Sequence, residues 1–220
     1  MGRLLDIINP LHRSTSRDYL ARMMDRKAEC MRVARQYGRD FWDGERRYGY
    51  GGYAYDGRWL AVAEQLAAQF ELRDDAAVLD VGCGKGFLLY ELSRVLPRAR
   101  LCGFDVSPYA LAAAKTEIRR SLFAHRAQDP FPFANQQFDL VISITTLHNL
   151  QVFDLAQAFS EIDRVGKNGF ITVESFRTEQ ELFNLQCWAL TCESFYTPEA
   201  WVWLMNHFGY RGDYEFIYFE

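Results

Sequence analysis

A close cluster of glycines after a short apolar segment constrains this chain more than any other feature. Residues 76–82 read AAVLDVG, and glycine recurs at positions 84 and 86. The apolar run predicts a buried strand, and the glycines let the following turn pass close to a ligand without a clash at Cβ. A helix is predicted from Phe87, with its free N–H groups facing that ligand. The segment therefore predicts a strand–turn–helix unit built around a small molecule.

Strands and helices alternate after this turn. We predict five strands, at 76–82, 100–105, 121–127, 138–144 and 169–175, with helices at 87–96, 108–120 and 153–165 between them. Such alternation is typical of a parallel sheet with helices on both faces. Two further strands, at 188–195 and 213–220, are predicted around a helix at 197–207. The fold class is thus Rossmann-like α/β: a doubly wound, mostly parallel, seven-stranded sheet with an antiparallel last strand.

The first 58 residues have a different pattern. Helical spacing of apolar residues predicts a helix over 14–47, and the sequence YGYGGYAYDG at 48–57 predicts a loop. A helix follows at 58–70. We predict that residues 1–58 form a helical, aromatic lid over a main domain at 59–220. In the alternative, these aromatic side chains only pack the appendage onto the sheet.

The spacing of the glycines separates two kinds of nucleotide turn. A dinucleotide turn needs GxGxxG, whose third glycine, counted from Gly82, would fall at position 87. That position is Phe87, and the spacing here is GxGxG. VLDVGCGKG at 78–86 instead resembles the first motif of class I S-adenosylmethionine-dependent methyltransferases, of the type that acts on small molecules in quinone and natural-product pathways. The resemblance continues to residue 175, through FDVS, AQDPFPF, FDLVISITTLHNL and EIDRVGKNGFITVES. The usual Pro-Gly-Gly turn is replaced by Gly166-Lys-Asn-Gly169.

The resemblance implies a set of residues that bind S-adenosyl-L-methionine. Asp105 would accept both ribose hydroxyls, and Asp129, or less favourably Gln128, would receive the adenine amino group. The expected cofactor-binding residues are Asp80, Gly82, Cys83, Gly84, Gly86, Asp105, Val106, Gln128, Asp129, Thr145 and Leu147.

Four side chains are candidates for catalysis. A general base is needed only if the acceptor is protonated at neutral pH. His148 follows the fourth strand, at the edge of the sheet where ligands bind, and its ordinary pKa suits proton transfer. Glu174 ends the fifth strand, and Tyr48 and Tyr50 could direct phenols at the acceptor. Alternatively, His148 packs near the cofactor or caps a helix, and Glu174 forms a structural ion pair.

Composition excludes several classes of protein. No apolar run approaches the ~20 residues that span a bilayer, and the first ten residues are too polar for a signal peptide, so a cytoplasmic location is expected. The five cysteines form no CxxC pair and the four histidines are scattered, so neither a disulfide framework nor a metal site is predicted. Residues 1–47 carry eleven Arg/Lys and seven Asp/Glu. We expect an exposed helical face of mixed charge there; the alternative is a basic lip that attracts an anionic acceptor.

Four functions remain open at this point. The favoured one is methyl transfer to a small-molecule acceptor, with no nucleic-acid or membrane partner. RNA or protein methylation is less favoured, because the main domain is acidic and no Asn/Asp-Pro-Pro-Tyr/Phe motif follows the fourth strand. A non-catalytic cofactor-binding protein and a nicotinamide oxidoreductase are the others, and Phe87 disfavours the last. Neither the acceptor atom nor the oligomeric state can be predicted.

Overall fold

The computed structural model describes residues 2–51 and 53–220. Its six strands form one sheet in the order β3-β2-β1-β4-β5-β6, and every neighbouring pair is parallel. The strands are β1 Ala77–Val81, β2 Arg100–Asp105, β3 Leu122–Ala124, β4 Leu140–Ile144, β5 Gly169–Glu174 and β6 Asp213–Ile217. The doubly wound α/β fold is therefore confirmed.

Helices precede the sheet, connect its strands and cover its faces. They are α1 Asn9–Arg13, α2 Tyr19–Met24, α3 Lys27–Ala34, α4 Arg39–Asp43, α5 Leu60–Gln69, α6 Phe87–Val95, α7 Pro108–Ala112, α8 Val152–Val165, α9 Glu179–Trp188 and α10 Pro198–His207. Single 3₁₀ turns lie at Arg46–Tyr48, Arg119–Ser121 and Leu147–Asn149. No helix in the described part of the chain is both long enough and apolar enough to cross a bilayer.

The core has two layers because successive side chains of a strand point to opposite faces of the sheet. Leu79 and Val81 of β1 pack with Phe159 of α8 in one layer. Val78 packs with Leu66 of α5 in the other. Burial on both faces explains why the central strands are uninterrupted apolar runs.

The prediction of seven strands with an antiparallel last strand was wrong. Residues 188–195 contain no strand, and β6 pairs in parallel with β5, with Phe170 opposite Asp213. The chain between β5 and β6 forms two helices, α9 and α10, and such a crossover returns the next strand in the same direction. The 188–195 backbone instead bonds outside the sheet: the N–H groups of Glu193 and Ser194 both donate to the carbonyl of His148, at 3.0 Å.

The prediction of one helix over residues 14–47 was also wrong. The segment forms three short helices, and Arg26 and Tyr37 adopt left-handed backbone conformations between them, with φ of 45° and 48°. Residues before α1 are attached to the far edge of the sheet. Glu215 of β6 accepts hydrogen bonds from the N–H groups of Ile7, Ile8 and Asn9 at 2.7 to 3.0 Å. The carboxylate thus satisfies free N–H groups at the start of α1.

Candidate active site

A cavity of about 950 Å³ lies at the carboxyl ends of the central strands. The strand order reverses between β1 and β4, and open α/β sheets bind ligands at this position. The walls come from the glycine turn, from the ends of β2, β4 and β5, from the N-terminal segment and from the chain around α9. The volume is at the upper end of the usual ~300–1,000 Å³ range for ligand pockets.

The glycine turn requires glycine for two separate reasons. Gly82, Gly84 and Gly86 have φ of 80°, 53° and 67°, a region that other residues rarely adopt. A Cβ on Gly84 would also lie 2.8 Å from the Trp42 ring, and one on Gly82 would overlap Thr146. The backbone of Gly82 and Gly84 therefore forms part of the cavity surface, with Thr146 and Trp42 packed closely against it.

Asp105 is fixed in place by the loops on either side of it. Its two carboxylate oxygens accept the N–H groups of Gly84 and Ser107, each at 2.8 Å. Burial raises the pKa of the carboxyl, while these two hydrogen bonds oppose the rise. Each oxygen keeps a second lone pair, so the side chain can still accept hydrogen bonds from a ligand.

Asp80 lies next to Asp105 and has no such support. It is 5% exposed, and no described residue donates a hydrogen bond to its carboxyl. Burial and the neighbouring Asp105 charge raise its pKa to about 8. A buried carboxyl without a partner is costly, so this group is suited to a ligand that carries positive charge.

The other predicted cofactor residues divide into two groups. Cys83, Val106, Gln128 and Thr145 line the cavity, as do Asp80, Gly82, Gly84 and Asp105. Gly86, Leu147 and Asp129 do not. Gly86 packs beneath the turn against Ile118 and Leu122, and Leu147 is completely buried in the core. The Asp129 carboxylate is about half exposed and lies 4.0 Å from Arg126.

His148 and Glu174 face each other across the cavity wall. The N–H of Glu174 donates to Nδ1 of His148 at 3.3 Å, and Nε2 of His148 is 3.5 Å from Oε2 of Glu174. Burial lowers the pKa of His148 to about 3 and raises that of Glu174 to about 8, with Arg17 and Lys27 opposing the second shift. His148 is therefore neutral at pH 7, with its proton on Nε2.

The two candidate tyrosines are placed differently. Tyr50 lines the cavity, but its hydroxyl accepts the N–H groups of Leu190 and Thr191 at 2.7 and 3.0 Å. Burial raises the pKa of this phenol above its usual value. Tyr48 does not line the cavity, and it packs beneath Arg47. Neither phenol is placed to take a proton from a ligand.

Sequence reasoning missed two sets of contacts, which attach the N-terminal segment to the glycine turn and to the loop after β2. Lys85, inside the glycine turn, donates to Asp43 at 2.6 Å and to the carbonyl of Tyr53 at 3.0 Å. Nε1 of Trp42 donates to Oγ of Ser107 at 2.9 Å, and Tyr109 donates to Asp43 at 2.9 Å. The sequence gives no signal for them, because the partners are 32 to 66 residues apart.

Apart from Tyr50, sequence reasoning did not identify individual cavity residues in the N-terminal segment or after β5. Arg17, Arg46, Trp188 and Phe219 all line the cavity. The excess of arginine in residues 1–47 is the only pattern that points to any of them. Among residues 2–51 and 53–220, no cluster of His, Cys, Asp and Glu is arranged to hold a metal ion.

Known proteins resemble this chain over the same region. A demethylmenaquinone methyltransferase of Chlorobaculum parvum is 34% identical over 115 residues, which are 52% of this chain and 46% of that protein. A malonyl-[acyl-carrier protein] O-methyltransferase of Hahella chejuensis is 35% identical over 114 residues, 50% of this chain and 40% of that protein. The chain thus spans less than half the length of these two relatives.

Solved structures share the fold at low sequence identity. The YcgJ protein of Bacillus subtilis superposes with a TM-score of 0.53 at 17% identity, over 66% of each chain. The [4+2]-cyclase SpnF superposes with a TM-score of 0.52 at 20% identity, over 70% of this chain and 60% of its own. A protein named as a cyclase has this fold, so the fold alone does not determine the reaction.

The match to a protein family is more specific than these likenesses. A family model described as a methyltransferase domain matches residues 72–209, which include the glycine turn, Asp105, His148 and Glu174. This chain belongs to that methyltransferase domain family.

Proposed function

We propose that this protein transfers a methyl group from S-adenosylmethionine to a small-molecule acceptor. The observation that carries the proposal is the joint placement of a left-handed glycine turn and two buried carboxyls, Asp80 and Asp105, on one cavity. Membership of the methyltransferase domain family supports it.

The residues around the turn suit this cofactor. S-adenosylmethionine carries an ammonium and a sulfonium, and when bound it supplies an electrophilic methyl group. Asp105 offers acceptor lone pairs for hydroxyl groups, and Asp80 offers a carboxyl without a partner for positive charge. Gln128 and Val106 line the same cavity and would contact the base. We keep Asp129 as the second candidate for the adenine contact.

The acceptor would occupy the part of the cavity near Glu174. Methyl transfer breaks the bond between sulfur and the methyl carbon, leaves its electron pair on sulfur, and forms a bond from the acceptor atom to that carbon. When the acceptor is protonated, its proton must leave. Glu174 lines the cavity and has a pKa of about 8, so its carboxylate form is suited to take that proton near neutral pH.

His148 acts through Glu174 in this proposal. Its Nδ1 accepts the N–H of Glu174, so Nε2 carries the proton and faces the Glu174 carboxyl. With a pKa of about 3, the ring is a poor proton acceptor. We therefore assign His148 as a positioning residue and Glu174 as the base.

The N-terminal segment, residues 1–58, would act as a lid. The Lys85–Asp43 ion pair and the Trp42–Ser107 hydrogen bond join it to both cofactor loops. Closing these contacts over a bound ligand would exclude water from the reacting atoms, as mobile lids do in other enzymes.

Calorimetry with S-adenosylhomocysteine, S-adenosylmethionine and NADH tests the proposal. We expect both sulfur nucleosides to bind at a 1:1 ratio and NADH not to bind. Asp105→Ala should weaken binding at least tenfold, whereas Asp75→Asn, an exposed acid just before β1, should not. Binding of NADH, or of neither sulfur nucleoside, would overturn the proposal.

Turnover is tested with methyl-labelled cofactor and three acceptor pools: metabolites below about 1 kDa, RNA and protein. Label should enter the metabolite pool. Label in RNA or protein instead would mean that the acceptor is a macromolecule and not a small molecule. Binding without transfer to any pool would favour a protein that holds the cofactor for another purpose.

A further inference from the structure

Four cationic side chains gather around Trp188 at the cavity. The guanidinium carbons of Arg17, Arg22 and Arg46 lie 5.4, 4.7 and 5.5 Å from the centre of its ring. Lys27 donates to the carbonyl of Cys187, the preceding residue, at 2.7 Å. We call these four residues the cation cluster.

No member of the cation cluster forms an ion pair with a carboxylate within the described part of the chain. Elsewhere, arginine is usually paired, as in Arg164–Glu161 and Arg177–Glu181. Arg22 instead donates to the carbonyls of Arg46 and Gly49, at 2.7 and 2.9 Å, which gives it a structural role.

The two members that line the cavity have hydrogen-bonding capacity left. Nη1 of Arg17 donates to the carbonyls of His12 and Thr15, and Nη2 lies 3.1 Å from Nδ1 of His12, but its buried Nε has no partner among the described residues. The Arg46 guanidinium donates no hydrogen bond to any residue that the structure describes, and it lies at the exposed edge of the cavity.

Positive charge in this cluster is poorly compensated. Burial and the neighbouring Arg22 lower the pKa of Lys27 to about 8, and burial together with Arg46 lowers the pKa of Arg17. The nearby acid, Glu174, has a pKa of about 8 and is mainly uncharged at pH 7. Keeping half-buried like charges together costs free energy, which an anionic ligand would offset.

The walls beside these cations are apolar. Trp188 and Phe219 are 6% and 1% exposed, and the Arg17 guanidinium lies over both rings, 5.4 Å from each centre. A ligand here would meet aromatic edges and faces as well as positive charge. An ionised Glu174 would repel a phosphate dianion more strongly than a carboxylate, because the dianion carries twice the charge.

We infer that the methyl acceptor is a small carboxylate with a flat apolar body, whose carboxylate is bound by Arg17 and Arg46. This inference rests on the proposed methyl transfer, because it names the acceptor for that site. Guanidinium groups bind carboxylates through paired, charge-assisted hydrogen bonds, and an aromatic body would pack beside Trp188 and Phe219.

Matched ligand pairs test the inference. Benzoate, 2-naphthoate and indole-3-acetate, with the corresponding primary amides, are titrated into protein saturated with S-adenosylhomocysteine. Each amide keeps the shape and loses the charge. We expect at least one carboxylate to bind tenfold or more tightly than its amide. The inference is overturned if no carboxylate in the set exceeds its amide.

Substitutions of single arginines test which side chains produce the carboxylate preference. Arg46→Met and Arg17→Met should each reduce the carboxylate preference to threefold or less, and Arg46, being exposed, keeps the test valid if Arg17→Met does not fold. Arg32→Met, the same change at an exposed arginine outside the cavity, should keep the full preference. A preference that survives in Arg46→Met, or is lost in Arg32→Met, overturns the assignment.

The two proposals fail in distinguishable ways. If S-adenosylhomocysteine binds but no carboxylate preference exists, only the acceptor assignment fails. If S-adenosylhomocysteine does not bind, the proposed function fails, and the comparison of carboxylates with amides in the ligand-free protein still decides whether the cation cluster binds anions.

Discussion

The Glu174 backbone N–H donates to Nδ1 of His148, while Nε2 of the same ring is 3.5 Å from the Glu174 carboxyl. The first contact fixes the tautomer, because Nδ1 must accept and the proton must then lie on Nε2. The histidine consequently can only donate toward Glu174. Histidine is the most common general base in enzymes, but in this pair His148 is less suitable as a base than Glu174.

Glu174→Gln should lower kcat by about 10²- to 10⁴-fold for an acceptor that must lose a proton. The affinity for S-adenosylhomocysteine should stay within twofold, because Glu174 is assigned to the acceptor. Wild-type kcat should rise with pH through about 8, as the carboxyl ionises, and this rise should vanish in the variant. Equal pH profiles would remove Glu174 from the mechanism.

His148→Asn tests positioning rather than proton transfer. The substitution removes the Nε2–H group, whose nitrogen lies 3.5 Å from Oε2 of Glu174, an oxygen with no hydrogen-bond partner among the described residues, so the midpoint of the pH–rate profile should move upward. Above that midpoint, most of the rate should return. A pH-independent loss of rate would mean that the ring itself takes the proton or only supports the fold.

Asp80 should make cofactor binding dependent on pH. Its pKa is about 8 without ligand, and a cationic ligand favours the ionised form. Affinity for S-adenosylmethionine should therefore fall as pH drops below 8, by up to tenfold per pH unit, and binding at pH 7 should release a proton. Calorimetry in buffers of different ionisation enthalpy measures that proton. Asp80→Asn should bind weakly with no release; a pH-independent wild-type affinity contradicts this role.

The same carboxyl should destabilise the ligand-free fold. Its folded pKa of about 8 lies above the ordinary 3.8, so the protonated form favours folding, and stability is lost as pH rises from about 4 to 8. Asp80→Asn should raise Tm relative to wild type by a margin that grows from pH 5 to pH 8 and is constant above it. Asp75→Asn, at an exposed position, should give no such trend.

The sequence pattern that places the glycine turn beside Asp105 is local. Gly82 and Gly84 sit in the turn directly after β1, and Asp105 ends the next strand along the chain. Parallel strands bring their carboxyl ends to one edge, so the fold class alone places these residues together.

The side of the cavity around Trp188 could not be predicted in the same way. Arg17 and Trp188 meet only because α2 packs on α9, more than 150 residues later in the chain. The apolar periodicity also predicted too long a helix over residues 14–47. Left-handed turns at Arg26 and Tyr37 interrupt it, and neither residue type by itself predicts the end of a helix. The direction of β6 depended on recognising α9, which the sequence analysis did not identify.

Lys85→Met should loosen the lid. The substitution removes the ion pair to Asp43 and the hydrogen bond to Tyr53, both from a lysine that is 7% exposed. Amide hydrogen exchange over 36–51 and 53–58 should accelerate, and S-adenosylhomocysteine should dissociate faster. In a double-mutant cycle with Asp43→Asn, the second substitution should add little once Lys85 is gone. Fully additive effects, or unchanged exchange, would show that the pair does not hold the lid.

Gly84→Ala should weaken cofactor binding more than it weakens the fold. The left-handed φ of 53° and the Trp42 ring 2.8 Å from the new Cβ both force the turn to move. We expect a loss of stability of about 1–3 kcal/mol and at least a tenfold loss of affinity for S-adenosylhomocysteine. Gly38→Ala is the matched control, because nothing lies within 4 Å of its Cβ and its φ is −84°. Similar losses in both variants would contradict a specific role for the turn.

Gln128 and Asp129 allow a direct comparison of two neighbouring candidates for the adenine contact. Gln128 lines the cavity, whereas the Asp129 carboxylate is directed toward Arg126 outside it. Gln128→Ala should therefore lower the affinity for S-adenosylhomocysteine about three- to tenfold, the usual cost of one or two hydrogen bonds. Asp129→Asn should leave it within twofold. Replacing adenine by hypoxanthine in the ligand should lower its affinity less in Gln128→Ala than in wild type. The reverse ranking would mean that Asp129 turns inward on binding and that the resemblance to the family holds at that position.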